Sequence, residues 1–524
     1  RAVELVDPYQ LYQLLLPSFD PKAKKEAHKI AQGLNASPGA AIGKIVFDTD
    51  EAATRGEAGE KVILVRIETC PDDIHGMIAS QGVLTLRGGM TSHAAVVAKG
   101  MGKPCVSGCE DLKIDLANKT LTAADGTIYH ENDVISIDGG TGEVMAGAVQ
   151  TQSATMDENF ETLFKWVDEF KKLTVRANAD TPLDVQNALK LGAEGVGLCR
   201  TEHMFMDPSR LPWVQKMIIA GTKEARKEAL AKLLPMQYQD FKDMFKALNG
   251  YPMTIRLLDP PLHEFLPDKE TLIAEVATLK AKGEDYKEKE NLLHTVEELS
   301  ESNPMMGLRG CRLGLMFPEI NEMQVRAIFE AACDLKKEGL TVKPEIMIPL
   351  ISHVNELRID RALLEEVAKE VMQEKGVEIE YMFGTMIEIP RAALTADEVA
   401  QYAEFFSFGT NDLTQMTFGY SRDDAEGKFL SKYVEDKILP ANPFETLDTK
   451  GVGQLMQIAL EKALPVRPNL KRGICGEHGG DPNSVKFCHK IGLNYVSCSP
   501  FRVPQARLAA AQAAIADKKA KALV

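Results

Sequence analysis

No apolar run in the 524 residues is long enough to span a bilayer, and no secretory signal is recognisable at the start of the chain. The nine cysteines are odd in number and scattered without metal-ligand spacing. Three residues separate Cys105 from Cys109, but no second pair completes a zinc site, so both read as small core residues. These features lead us to expect a reduced, cytoplasmic setting, or an organelle interior in a eukaryote. Basic residues are outnumbered by acidic ones, 61 to 76, and the net charge of −15 argues against nucleic acid or a membrane surface as partner. It does not argue against an anionic substrate, because local arginines, backbone N–H groups and a metal can outweigh a distant mean charge. No Gly-x-x-x-x-Gly-Lys-Ser/Thr loop, internal repeat or low-complexity tract is present.

What is present is a globular enzyme's composition, 44% hydrophobic and 26% charged, on a chain long enough for two or three domains. Residues 1–33 read as a helical connector, and a start at Arg1 in place of Met leads us to expect a fragment of a longer protein. Residues 34–147 are dense in glycine and β-branched residues, with strands expected at Ile45–Phe47, Val62–Val65, Gly82–Leu86, Thr120–Thr122 and from Val134. A polar run at 150–155 follows. Then Phe160, Leu163, Phe164, Val167 and Phe170 recur at helical spacing, so 148–172 reads as a linker and docking helix. From Leu173 short apolar strands alternate with helical stretches, with eight strands near 173–179, 195–199, 253–258, 344–349, 381–387, 405–409, 472–475 and 494–497. The fold class expected is α/β: a β-rich domain followed by a (β/α)8 TIM barrel over 173–524, with its longest insertion between Leu258 and Pro344.

Two places concentrate chemistry. In the first domain, a glycine pair and a Thr91-Ser92 cap follow a short strand, which sets His93 in the first turn of an expected helix over 92–99. A phosphate on its imidazole there would meet backbone donors and the positive end of the helix dipole. Local chemistry fits an ordinary surface histidine after a turn equally well. In the barrel, polar residues fall at strand ends, where barrel chemistry sits. Arg200-Thr-Glu202-His203 closes the second strand, Arg256-Leu-Leu-Asp259 the third, and Glu388-Ile-Pro-Arg391 the fifth. Asn411-Asp412 closes the sixth and Cys475-Gly-Glu477-His478 the seventh. Arg200, Arg256 and Arg309 suit a phosphate clamp, because guanidinium groups give planar bidentate donors. Glu388 and Asp412, on neighbouring strands, suit Mg²⁺, which takes one or two carboxylates plus substrate oxygens and waters. A protonated Cys475 is a competent proton donor, though chemistry alone does not choose it over Glu477 or His478.

The run Gly-Gly-Met-Thr-Ser-His-Ala-Ala-Val-Val-Ala over 88–98 resembles the phosphohistidine signature of the phosphoenolpyruvate-utilising enzymes, in its dikinase form. The motifs at 384–392, 408–415 and 475–482 resemble the phosphoenolpyruvate/pyruvate site of the same family, so the likeness covers nearly the whole chain. The resemblance implies that His93 carries a phosphoryl group and that Arg200, Arg256, Gly409, Thr410, Asn411 and Asp412 hold substrate. It implies Glu388 and Asp412 for Mg²⁺, Cys475 as the acid that protonates the enolate, and a homodimer through the barrel. Thr91 matches a regulatory position of plant members, though an N-cap is the simpler role. The family's full reaction also uses ATP and phosphate on an upstream domain, so this chain is expected to carry the phosphoenolpyruvate/pyruvate half-reaction, with the 34–147 domain swivelling on hinges before residue 34 and around 148–172. Three other readings are weaker. Phosphoenolpyruvate synthase usually carries Cys at the position of Ser92 and differs at the seventh strand. The carrier-protein phosphotransferase needs a helical insertion for which 34–93 has no room. A non-catalytic anion-binding barrel would not be expected to keep His93, Glu388, Asp412 and Cys475 intact.

Overall fold

The computed structural model describes the chain except for residues 15, 70–72, 89–93, 95–97, 99–102, 153–157, 208 and 523–524. His93, Thr91 and Ser92 therefore lie outside the described residues. The chain divides into two compact units: residues 1–166 with 420–446, and residues 167–419 with 447–524.

The first unit is built on a mixed sheet of eight strands. Its centre is parallel: Ala40–Val46, Val62–Arg66, Gly82–Thr85 and Cys105–Ser107. The run Val62 to Val65 is buried throughout, as a parallel strand covered on both faces must be. Side chains alternate across the pleat. Ile63 and Val65 join Ile45, Leu84, Val106 and Ile135 on one face. Val62 and Leu64 join Val46, Val83 and Cys105 on the other, where helical Ala94 and Ala98 also pack, four residues apart. The Gly82–Thr85 strand ends eight residues before His93 in sequence, and the carboxyl ends of the strands are the side of an open α/β sheet on which ligands bind. The expected connector over 1–33 is helical only in part. Lys29–Gln32 is an edge strand beside Glu143–Ala146, and Ser18–Phe19 pairs with Thr151–Gln152. Residues 420–446 form two short helices around Ala425, Leu430 and Phe444 and group with this unit.

The second unit is a closed barrel of eight parallel strands. They are β1 (Thr174–Asn178), β2 (Val196–Arg200), β3 (Pro252–Arg256), β4 (Lys343–Ile348), β5 (Met382–Ile387), β6 (Phe405–Phe408), β7 (Lys471–Ile474) and β8 (Tyr495–Cys498). Every strand expected from the apolar runs is present within a residue or two. Helix Glu158–Phe170 bears the expected apolar stripe, with Phe164 and Val167 buried, and the division between units falls within it. Among the described residues no helix is long and apolar enough to cross a membrane.

The barrel floor is ionic. Arg176 on β1 reaches across the interior to Glu345 on β4, with Nη1 donating to Oε2 at 2.8 Å, and Thr254 Oγ1 donates to the same oxygen at 2.8 Å. Lys471 also pairs with Glu345, and the Arg176 guanidinium lies 4.3 Å over the Tyr495 ring. Burial alone would raise the Glu345 carboxyl, but the two cations overcome it and hold it at about 2. Its contribution to stability is therefore present above the ordinary value of 4.5 and lost as pH falls toward 2. Glu345→Ala strands both cations, so unfolding in guanidinium chloride at pH 7 should show a loss of about 3–5 kcal/mol. A loss under about 1 kcal/mol would mean that the floor relaxes without it.

Candidate active site

The carboxyl ends of β2 to β7 bring their polar residues into one buried network. Arg256, the last residue of β3, pairs with Glu202 after β2 and with Asp259 Oδ2, 3.1 Å from its Nη1. Asp259 Oδ2 also accepts from Arg309 Nη2 at 2.6 Å, and that nitrogen lies 3.4 Å from Asp412 Oδ2. Charge thus alternates along Glu202, Arg256, Asp259, Arg309 and Asp412, all of them buried or nearly so. Arg309 comes from the long insertion, and Gly310 allows it to arrive. Gly310 has φ +57°, its N–H donates to Asp259 O at 2.9 Å, and a Cβ there would lie 2.8 Å from Leu350 Cβ.

Glu388 follows β5 and is 1% exposed, with Oε1 accepting the Leu350 N–H at 2.6 Å. Burial and the neighbouring Asp412 and Asp259 carboxylates push its carboxyl well above the ordinary range, against the pull of Arg309 and Arg256. The β6 backbone passes directly over it: a Cβ on Gly409 would lie 2.6 Å from Met386 Sδ and 2.7 Å from Glu388 Oε2. Only glycine leaves that carboxylate in place. Asp412 is steadied by Gln415, whose Nε2 donates to Oδ1 at 3.0 Å. Asn411 Oδ1 accepts the Glu477 N–H at 3.2 Å, so what it offers a ligand is its Nδ2 donor.

The β7 end separates the three candidate acids. His478 is fully buried with Nδ1 2.7 Å from Thr410 Oγ1, so it positions Thr410 and the start of the Thr410–Phe418 helix. Glu477 contributes its backbone to Asn411. Cys475 is buried among Leu198, Met347, Met386 and Phe405 inside the barrel, with Sγ donating to Phe408 O at 3.8 Å. Burial pushes its thiol up to about 11, against a hydrogen bond to Ser407 and the charges of Arg256 and Arg200, with Glu388 adding to the rise. At neutral pH it is a thiol that holds its proton.

Arg200 is the least restrained arginine of the set. Its side chain is 27% exposed and Nη1 is 3.8 Å from Asp180 Oδ2, a far looser tie than those of Arg256 and Arg309. Asp180 also accepts the Arg200 N–H at 2.6 Å and lies 2.8 Å from His203 Nδ1. The predicted Arg200, Arg256, Arg309, Glu388, Gly409, Thr410, Asn411, Asp412 and Cys475 all stand at this one end of the barrel. The sequence marks Glu202 and Asp259 only as strand-end residues and gives no motif at Asp180. Each is an acid just past a barrel strand, which is the signal that could have found them.

The residues fit a divalent cation. Glu388 and Asp412 are crowded carboxylates, and the buried atoms Glu202 Oε2 and Asp259 Oδ1 have no hydrogen-bond partner among the described residues. Among the described residues no group of three acids, histidines or cysteines forms a complete metal cage. A pair of carboxylates that leaves the remaining positions to substrate and water is what Mg²⁺ accepts.

Residues 154–515 match the model of the PEP-binding domain of PEP-utilising enzymes, and residues 58–142 match that of the mobile domain of the same enzymes. The chain is 57% identical over 99% of its length to a pyruvate, phosphate dikinase of Clostridium symbiosum, covering 59% of that protein. It is 55% identical over 98% of its length to pyruvate, phosphate dikinase 1, chloroplastic, of Arabidopsis thaliana, covering 53% of it. It is 54% identical over 98% of its length to a pyruvate, phosphate dikinase of Entamoeba histolytica, covering 58% of it. The chain spans a little over half the length of these curated relatives. With a family match over most of its residues and the family's motifs gathered at one barrel mouth, the chain belongs to the PEP-utilising enzymes.

Proposed function

We propose that this chain interconverts phosphoenolpyruvate and pyruvate through a phosphohistidine at His93, as one half of a dikinase reaction. The observation that carries this reading is a thiol kept protonated by burial, set beside a buried arginine–carboxylate network at the barrel mouth. Arg200, Arg256 and Arg309 bind the phosphoryl oxygens, and the fixed Glu202 and Asp259 carboxylates keep Arg256 and Arg309 in place without reorganisation. Asn411 Nδ2 donates to an anionic substrate oxygen. Glu388 and Asp412 would hold Mg²⁺, which when bound neutralises charge on substrate oxygens. His93 Nε2 or Nδ1 attacks phosphorus in line. The N–P bond forms, the P–O bond to the enol carbon breaks, and the electron pair passes into the enolate. Cys475 Sγ gives its proton to the methylene carbon, and pyruvate results. The domain over 34–147, together with the Lys29–Gln32 strand that pairs with its Glu143–Ala146 strand, moves as a body to bring His93 to the phosphoryl group, and 148–172 supplies a hinge.

A half-reaction through a covalent carrier needs no nucleotide. With Mg²⁺ and unlabelled phosphoenolpyruvate, the chain should therefore move label from [¹⁴C]pyruvate into phosphoenolpyruvate, and His93→Asn should not. Exchange that survives in His93→Asn would replace the carrier mechanism with direct transfer.

A further inference from the structure

Arg256 and Arg309 are each held by two carboxylates, so their positions are fixed before substrate arrives. Among the described residues Arg200 has one carboxylate neighbour, Asp180, and shares it. Oδ1 of Asp180 is occupied by the Arg200 N–H at 2.6 Å, which anchors the backbone whatever the guanidinium does. Oδ2 faces two nitrogen-bearing side chains, the His203 imidazole with Nδ1 at 2.8 Å and the Arg200 guanidinium with Nη1 at 3.8 Å. His203 is 52% exposed in its side chain and one turn beyond the strand end, so its ring exchanges protons freely with water. The charged groups that act on it are Asp180 after β1, and Arg200 and Glu202 on its own segment.

We infer that Asp180 and His203 form a protonation-dependent tether for Arg200. With His203 protonated, the charge of Asp180 is matched by the imidazolium, and the Arg200 guanidinium is free to turn to a phosphoryl oxygen. With His203 neutral, Asp180 is the uncompensated anion nearest Arg200 and draws the guanidinium into a direct pair that phosphoryl binding must break. Asp180 and His203 are thus positioning residues that act through Arg200. Asp180 raises the His203 imidazole above its ordinary 6.5, with burial and the Arg200 charge opposing and Glu202 assisting. The imidazolium form therefore persists into the neutral range and is lost as pH rises through that raised value. The sign follows: the binding form of the site is the low-pH one.

This inference rests on the phosphoenolpyruvate reading, and its test separates the two. Dissociation constants for phosphoenolpyruvate and for pyruvate, each with Mg²⁺, are measured on the whole chain by equilibrium dialysis from pH 6 to 9. The ionisation of phosphoenolpyruvate itself is common to all variants and cancels in their ratios. Wild-type affinity for phosphoenolpyruvate should fall about three- to fivefold across the His203 titration, the range of a partly exposed ion pair. His203→Gln should lack that step and stay at the weaker, high-pH value. Asp180→Asn keeps the acceptor for the Arg200 N–H and removes the competing charge, so it should lack the step and stay at the tighter value. Pyruvate, with no phosphoryl group, should show no step in any of the three. A wild-type step retained in both variants, or an equal weakening of both at every pH, would overturn the tether and leave the phosphoenolpyruvate site standing. Failure of the wild type to bind phosphoenolpyruvate at any pH would overturn the site reading, and the tether with it.

Discussion

Cys475→Ala should reduce exchange of pyruvate methyl hydrogens with solvent deuterium by about 10²- to 10⁴-fold, the usual contribution of a positioned general acid or base. Pyruvate binding should change little, because the arginines, Asn411 and the Glu388–Asp412 pair are untouched. The pH dependence gives the prediction a second edge. Burial holds the Cys475 thiol at about 11, so protonation of the enolate on the way to pyruvate draws on a thiol fully loaded at pH 7. The reverse step, removal of a methyl proton, needs the thiolate. Its rate should therefore climb with pH from neutrality toward that value, with no plateau below pH 9. Exchange that is flat with pH in wild type, or that survives in Cys475→Ala, would move the acid–base role to another group. At β7 His478 is tied to Thr410 Oγ1 and the Glu477 N–H to Asn411 Oδ1, while the Cys475 thiol faces the barrel interior.

Glu388→Gln should separate stability from function. The same burial and carboxylate crowding that suit Glu388 to a cation make its charge a liability when no cation is bound. The amide keeps an acceptor for the Leu350 N–H and removes the charge beside Asp412 and Asp259. In EDTA the variant should be more stable than wild type by about 1 kcal/mol, read from the denaturant midpoint. With Mg²⁺ present its pyruvate–phosphoenolpyruvate exchange should be at least ~10²-fold slower, since a cation's charge stabilisation is worth several kcal/mol. A variant both less stable and inactive would mean that Glu388 is a structural carboxylate paired with Arg309 or Arg256. Activity near wild type would remove it from the cation site.

The barrel was legible in the sequence because parallel strands covered on both faces must be short, continuous apolar runs, and a barrel of them ends each run at the same rim. Gly384–Ile387 and Phe405–Phe408 are such buried runs, each broken by a single small hydroxyl residue, Thr385 or Ser407, and the acids that follow, Glu388 and Asp412, then have few places to be. What was not legible is which charge faces which. Arg309 lies in a loop 53 residues after Arg256, and only the tertiary path through Gly310 puts both on Asp259. Asp180 closes β1, a strand whose exit carries no motif, and its tie to Arg200 and His203 arises from the register of two neighbouring strands. In the first unit, Lys29–Gln32 was hidden because an edge strand has one partner and few apolar residues: only Ile30 and Ala31 face inward. The Lys-rich run before it reads as helix, and Pro21–Glu26 is one.

The most direct measurement is transfer of the phosphoryl group itself. Incubated with [³²P]phosphoenolpyruvate and Mg²⁺ and without nucleotide, the folded chain should take up close to one acid-labile, alkali-stable label at His93 and release an equal amount of pyruvate, and His93→Asn should take up none. A folded, phosphoenolpyruvate-binding chain that stays unlabelled, or an equally labelled His93→Asn, would contradict the carrier role from which the rest of the mechanism follows.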